Sequence, residues 1–201
     1  SCANWQKNFQ IAATLVAQAA QAGARLIVLP EYFCLMGHSD TDKVKIRESF
    51  NDGPMQNALR DLASQYGIYL VPGTLPLTCD NPEKVINSTL VFAPDGKILA
   101  RYDKIHLFGF KQGTEQYQES NTIAPGHQPI TFDILEANQS WRFGLSICYD
   151  IRFPELYRVM GPVDCHIIPA AFTYTTGKAH WEILLRARAI ENQSYVLASA
   201  Q

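Results

Sequence analysis

Gly144-Leu145-Ser146-Ile147-Cys148-Tyr149-Asp150-Ile151-Arg152-Phe153-Pro154-Glu155 changes character twice along its length. Arg142 to Ile147 reads as a strand, Cys148 to Phe153 as a turn, and Pro154 to Met160 as a short helix, because proline's fixed φ suits the first helical position. His166 to Ile168 follows as another strand. Strand, turn, helix and strand in succession is the crossover unit of α/β proteins.

Outward from this unit the same alternation continues. Phe9, Ala12, Ala13, Val16, Ala19 and Ala20 recur at helical spacing, which predicts a helix over about residues 5 to 22, with Gly23 suited to its C-terminus. Leu26 to Leu29, closed by Pro30, reads as a short buried strand. A helix from Met55 to Gln65, ended by Gly67, precedes a strand from Ile68 to Val71. Val85 to Phe92 and Lys97 to Tyr102 flank Ala93-Pro94-Asp95-Gly96, a hairpin signal. Residues 106 to 128, with Gly109, Gly113, Pro125 and Gly126 and no clear period, read as a long functional loop. Toward the C-terminus, Ala179 to Glu191 reads as a helix and Tyr195 to Ala198 as a last strand. No repeat or linker interrupts the series, so a single α/β domain is expected.

Composition narrows the function. The 201 residues are 47% hydrophobic and 18% charged, with a formal net charge of −2 and no long run of either sign, which speaks against a nucleic-acid or anionic-membrane partner. The longest apolar run, Tyr32 to Met36, is far short of the about 20 residues a spanning helix needs. Cys2, Cys34, Cys79, Cys148 and Cys165 form no C-x-x-C pair, so no metal site is expected and reduced thiols in the cytoplasm are the default. Sequons begin at Asn87, Asn138 and Asn192, a tripeptide too common to signify glycosylation without an extracellular context.

Open α/β sheets collect their chemistry beyond strand ends, where three residues stand out. Cys148 lies in a strand-turn-helix geometry that can expose a nucleophile beside free N–H groups, though a free cysteine is as readily a small buried hydrophobe. Glu31, in Leu29-Pro30-Glu31-Tyr32-Phe33, is a carboxylate hemmed by aromatics, which raises its pKa and suits it to accept protons; the alternative is a solvated strand-end charge. Lys104, in Arg101-Tyr102-Asp103-Lys104-Ile105-His106-Leu107-Phe108, is unremarkable alone but near a thiol would favour thiolate and stabilise an oxyanion.

The strings PEYF, YDKIHLF and SICYDIRFPELYR, in that order, resemble the nitrilase (carbon-nitrogen hydrolase) superfamily. Gly177 to Gln193, GKAHWEILLRARAIENQ, extends the likeness to its amidase branch, which holds omega-amidases and deaminated-glutathione amidases. The resemblance implies an α-β-β-α sandwich whose helical faces often pair in a dimer. It implies a catalytic set of Glu31 as base, Lys104, and Cys148 as nucleophile, with the Tyr149 N–H joining Lys104 in the oxyanion site. A second glutamate of the family matches Glu119, with Glu115 as a nearby competitor. It also implies that residues 1–201 form a hydrolase domain incomplete at both ends, since members of the branch carry further terminal strands.

On this reading a small linear amide with a distal carboxylate is hydrolysed through a cysteine thioester, releasing ammonia, with no cofactor. Arg152 can grip that carboxylate bidentately, unless it is held in a structural ion pair with Glu155. Phe172 to Thr176 is the expected pocket wall, Phe172 lining it and Thr176 bonding the same carboxylate. His180 reads as a packed or capping imidazole, His106 as dispensable, and Cys165 and His166 as structural residues on opposite strand faces. A nitrilase or carbamoyl hydrolase with the same three residues, or a non-catalytic binding protein that kept the fold, are the alternatives.

Overall fold

A computed structural model describes residues 1–113 and 115–201, and the backbone alone of Gln112 and Glu115. The chain runs α1 (Trp5–Gln21), β1 (Leu26–Val28), α2 (Asp42–Lys45), α3 (Pro54–Tyr66), β2 (Tyr69–Val71), β3 (Leu75–Thr78), β4 (Val85–Phe92) and β5 (Ile98–Asp103). It continues through β6 (Gly109–Gln112), β7 (Glu115–Gln118), β8 (Ile123–Ala124), β9 (Ile130–Glu136), β10 (Gln139–Leu145), α4 (Pro154–Val159), β11 (Cys165–Ala170), α5 (Tyr174–Asn192) and β12 (Tyr195–Ala200).

Two sheets face each other. In the first, β1 lies parallel to β2, β2 antiparallel to the central β4, and β3, β5 and β8 also pair with β4. In the second, β12, β11 and β10 run parallel and β9 closes the edge antiparallel. Outside the first sheet, Ala12 and Val16 of α1 and Met55, Leu59, Leu62 and Ala63 of α3 cover Leu70, Leu75, Leu90 and Phe92. Val71, Val91 and Tyr102 of the first sheet meet Phe132, Ile134, Leu145 and Ile167 of the second, on whose far side Leu156, Tyr157, Trp181, Leu184 and Leu185 pack. The layers are therefore α-β-β-α. Among the described residues no helix is long and apolar enough to cross a membrane.

Helix ends follow local chemistry. Asn4 caps α1 by accepting the Lys7 N–H at 2.8 Å. α3 begins with Pro54 and its N-cap residue Gly53 offers no side chain; instead the carboxylate of Glu48, a few residues upstream, accepts the N–H groups of Met55 and Gln56 at 2.6 and 3.1 Å. Gly53 is needed there, because a Cβ at its φ of 137° would collide with that carboxylate.

The structure corrects four expectations. Residues 106 to 128 are not a plain loop: β6 and β7 form a hairpin, and β8 adds to the first sheet. β3 was hidden by Pro76, which its edge position tolerates. β9 was hidden because its turn to β10 places Ala137 and Asn138 both at positive φ, a hairpin geometry for which Ala is a poor signal. α5 starts at Tyr174 rather than Ala179, since packing overrides the weak helix propensity of Thr175, Thr176 and Gly177.

Candidate active site

Each candidate residue sits just past a strand. β1 ends before Leu29-Pro30, and a tight approach aims Glu31 inward: Gly73 comes so close to the Pro30 carbonyl that a Cβ would overlap it. Tyr32, next in line, is held at φ 56° with its N–H donated to Thr74 Oγ1 at 3.0 Å. Lys104 follows β5, and its N–H donates to the Asn87 carbonyl at 3.0 Å. Cys148 opens a short 3-10 turn beyond β10 at φ 49°, a left-handed conformation rare for a residue with a side chain.

These turns bring three charges together. Lys104 Nζ lies 2.9 Å from Glu31 Oε1 and 2.9 Å from Glu119, and Lys104 and Glu31 are 0% and 1% exposed. Glu31 also accepts from Asn87 Nδ2 at 3.0 Å and from the Ala171 N–H at 2.9 Å. Glu119 accepts from Tyr32 Oη at 2.8 Å and from the Phe108 N–H at 2.7 Å. With two carboxylates around one ammonium, the cluster carries a net negative charge when all three are ionised.

Burial sets the two carboxyls apart. For Glu31, burial outweighs the pull of Lys104 and raises its pKa, and the charge of Glu119 adds to the rise. Burial also pushes Glu119 up, but Lys104 together with the Phe108 and Tyr32 donors pulls it below the ordinary range. Lys104 is disfavoured by burial, yet the two carboxylates hold it charged well above its usual pKa. Burial pushes the Cys148 thiol well up, with the charge of Glu31 adding and Lys104 opposing without prevailing. The resting thiol is therefore protonated, beside a carboxyl of raised basicity. Such pairs, split by environment, are how one site obtains both an acid and a base.

A small pocket opens from Cys148 and is lined by Phe108, Tyr149, Ala171, Phe172, Thr173 and Thr176. Phe172 and Thr176 both stand in its wall, Phe172 just before α5 and Thr176 in its first turn. Tyr149 lines it as well, and its N–H belongs to the first turn after a strand, where N–H groups have no partner within the helix. Arg152 sits at the rim, half-buried, its guanidinium 5.8 Å from the Tyr149 ring and 5.6 Å from the Phe172 ring. Its Nη atoms meet His180 Nδ1 at 3.2 and 3.3 Å, and no described carboxylate pairs with it, Glu155 included. A larger open groove between α1 and α3 lies among Phe9, Ala13, Leu62 and Tyr66, without a comparable cluster of charge.

Other expectations fare differently. His180 is exposed and engages Arg152 rather than packing or capping. Ser146 is buried and its Oγ meets Tyr157 Oη at 2.8 Å. Cys165 and His166 do not act together: His166 is buried against Tyr157 while Cys165 is partly exposed on the other strand face. The side chain of Glu115 lies outside the described residues. Asn87, met first as a sequon, is buried on Glu31 and is no glycan acceptor. Its signal was a polar Asn-Ser-Thr run inside an apolar strand. Tyr32, the Ala171 N–H and Asp150 were missed; backbone donors and a turn aspartate leave no distinctive spacing.

A strand-end thiol, a buried carboxyl–ammonium–carboxyl cluster and an α-β-β-α sandwich define the class: the chain belongs to the carbon-nitrogen hydrolase family, whose profile matches residues 1–201 throughout. Among its relatives is the deaminated glutathione amidase of Yersinia enterocolitica, 40% identical over 185 residues, which cover 90% of this chain and 63% of that protein. Omega-amidase NIT2 of Pongo abelii is 38% identical over 196 residues, covering 96% of this chain and 68% of the relative. Saccharomyces cerevisiae Nit3, a member of branch 10 of the nitrilase superfamily, superposes with a TM-score of 0.84 at 33% identity, covering 98% of this chain and 70% of that one. The chain thus spans just under two thirds of the Yersinia relative.

Proposed function

We propose that the protein hydrolyses the amide of a small linear molecule bearing a distal carboxylate, with Cys148 as nucleophile. The observation that carries this reading is geometric: Cys148 opens a left-handed turn at the pocket, beside a buried cluster in which Lys104 Nζ lies 2.9 Å from Glu31 and 2.9 Å from Glu119, and burial raises the pKa of both Glu31 and the thiol. Glu31 takes the thiol proton as sulfur attacks the amide carbonyl, and the oxyanion is met by Lys104 Nζ and the Tyr149 N–H. Glu31 then gives its proton to the leaving nitrogen, ammonia departs, and a thioester remains. Water, deprotonated by Glu31, attacks the thioester; a carboxylate product and the free thiol result. Glu119 holds Lys104 in place and keeps its charge.

The substrate carboxylate is assigned to Arg152. A guanidinium at the pocket rim with no carboxylate partner among the described residues, resting on two pocket aromatics, suits an anion that arrives with the ligand. Phe172 and Thr176 would flank the chain between amide and carboxylate. The relatives named as deaminated glutathione amidase and omega-amidase support this substrate class. Exposed Ile183 and Ile190 on α5 and Tyr195 on β12 suit pairing of two such faces in a homodimer. Five unpaired thiols suit the reducing cytoplasm.

The test is ammonia release from a panel of linear amides with and without a terminal carboxylate. Release from the carboxylate-bearing members supports the reading. Release only from nitriles, or with carbon dioxide from carbamoyl compounds, would replace it with another chemistry of the same family.

A further inference from the structure

Asp150, outside the cluster above, is wholly buried and has no lysine or arginine partner among the described residues. Four donors from three residues converge on it. Oδ2 accepts from Tyr102 Oη at 2.7 Å and from the Ile147 N–H at 2.9 Å. Oδ1 accepts from the His106 N–H at 2.9 Å and meets His106 Nδ1 at 2.7 Å, which therefore carries the hydrogen, since a carboxylate oxygen only accepts.

The positions of these donors matter more than their number. Tyr102 and His106 lie two residues before and two after Lys104, while Ile147 immediately precedes Cys148. The His106 ring stacks on Phe153 at 3.7 Å between centroids, and Phe153 stands edge-on to Tyr149 at 5.4 Å. Burial keeps the Tyr102 hydroxyl protonated far into alkali, with the Asp150 charge adding, so it remains a donor. One carboxylate thus ties the backbone that carries the ammonium to the left-handed turn that carries the thiol.

We propose that Asp150, through His106 and Tyr102, is a positioning residue that fixes Cys148 relative to Lys104. A buried anion with four donors holds its neighbours far more tightly than a single neutral bond, and misplacement of reacting groups by about 1 Å can cost roughly a hundredfold in rate. The turnover arm of this inference rests on the amidase reading; its chemical arm does not.

Three variants of the whole chain test it. Tyr102→Phe deletes one donor at constant shape. His106→Phe keeps an aromatic ring for Phe153 but deletes Nδ1–H, and His106→Asn returns a donor near Nδ1 without the ring. The readout independent of turnover is carbamidomethylation of Cys148 by iodoacetamide across pH, with loss of iodide, located by peptide mass. Tyr102→Phe and His106→Phe should slow it about fivefold or more and move its pH midpoint upward, because Lys104 no longer favours the thiolate; His106→Asn should come back to within about twofold of the parent. For an amide that the parent hydrolyses, the first two should lower kcat about tenfold to a hundredfold with little change in KM. A merely structural role predicts the opposite chemistry, a loosened turn whose thiol reacts as fast as the parent's or faster. That result would overturn the inference. Failure of the parent to hydrolyse any amide would sink the amidase reading alone and leave the alkylation result to decide this one.

Discussion

In the buried cluster beside Cys148, the floor of the site, Glu31, Lys104 and Asn87 are almost wholly buried and each polar head group has a protein partner, whereas at the mouth Arg152 is half-buried and, among the described residues, meets two aromatic faces and an imidazole nitrogen. The floor spends its hydrogen bonds within the protein and so is set before a substrate arrives. At the mouth the guanidinium has no carboxylate partner among the described residues. On the proposed function, reaction type belongs to the first region and substrate choice to the second. A change at the floor should therefore affect every substrate alike, and a change at the mouth should discriminate among them.

The largest effect is expected at the floor. Lys104→Ala removes the ammonium from between Glu31 and Glu119 and should lower kcat by roughly 10²–10³ on all substrates, the usual size of one oxyanion contact. It also leaves two buried carboxyls facing one another, so at neutral pH urea unfolding should show a loss of about 3–5 kcal/mol. That loss should shrink as pH is lowered and one carboxyl takes up a proton. A rate loss confined to KM would move Lys104 from the floor's chemistry to substrate binding.

At the mouth the expected effect is smaller and selective. Arg152→Lys keeps the charge but loses the planar fork, so kcat/KM for a carboxylate-bearing amide should fall about tenfold, the value of one charge-assisted hydrogen bond, while the matching neutral amide barely changes. Steady-state kinetics on the two amides read it directly. Equal losses on both, with unchanged melting temperature, would place Arg152 in the scaffold and dissolve the contrast between floor and mouth.

How much of this was legible follows the same division. Glu31, Lys104 and Cys148 each follow a strand, but none stood out decisively alone; the strings that carry them did so together, by resemblance to a known family, while the helix-strand alternation exposed the layers around them. Asn87 and the Ala171 N–H, which hold Glu31, come from β4 and the end of β11, partners distant in sequence that only the closed sandwich unites. The hairpin of β6 and β7 was read as loop because it carries no apolar alternation; it lies beside the site and not in the core. For Arg152 the sequence offered Glu155, three residues on, as a partner, whereas its neighbour in space is His180 on α5, far along the chain.

The subtlest probe concerns pH. The charge of Glu119 helps to raise Glu31, so Glu119→Gln lets Glu31 ionise more readily and lowers its pKa. A base works only when ionised, so the acid limb of kcat/KM should move to lower pH even as the maximum falls. A limb that stays in place would mean that another group governs it.

The central claim is covalent chemistry at Cys148, and intact mass after brief mixing with a carboxylate-bearing amide tests it most directly. The parent protein should gain the mass of the acyl group, mapped to the peptide containing Cys148, and Cys148→Ala should gain none and release no ammonia. An acyl adduct or undiminished ammonia release in Cys148→Ala would contradict the account.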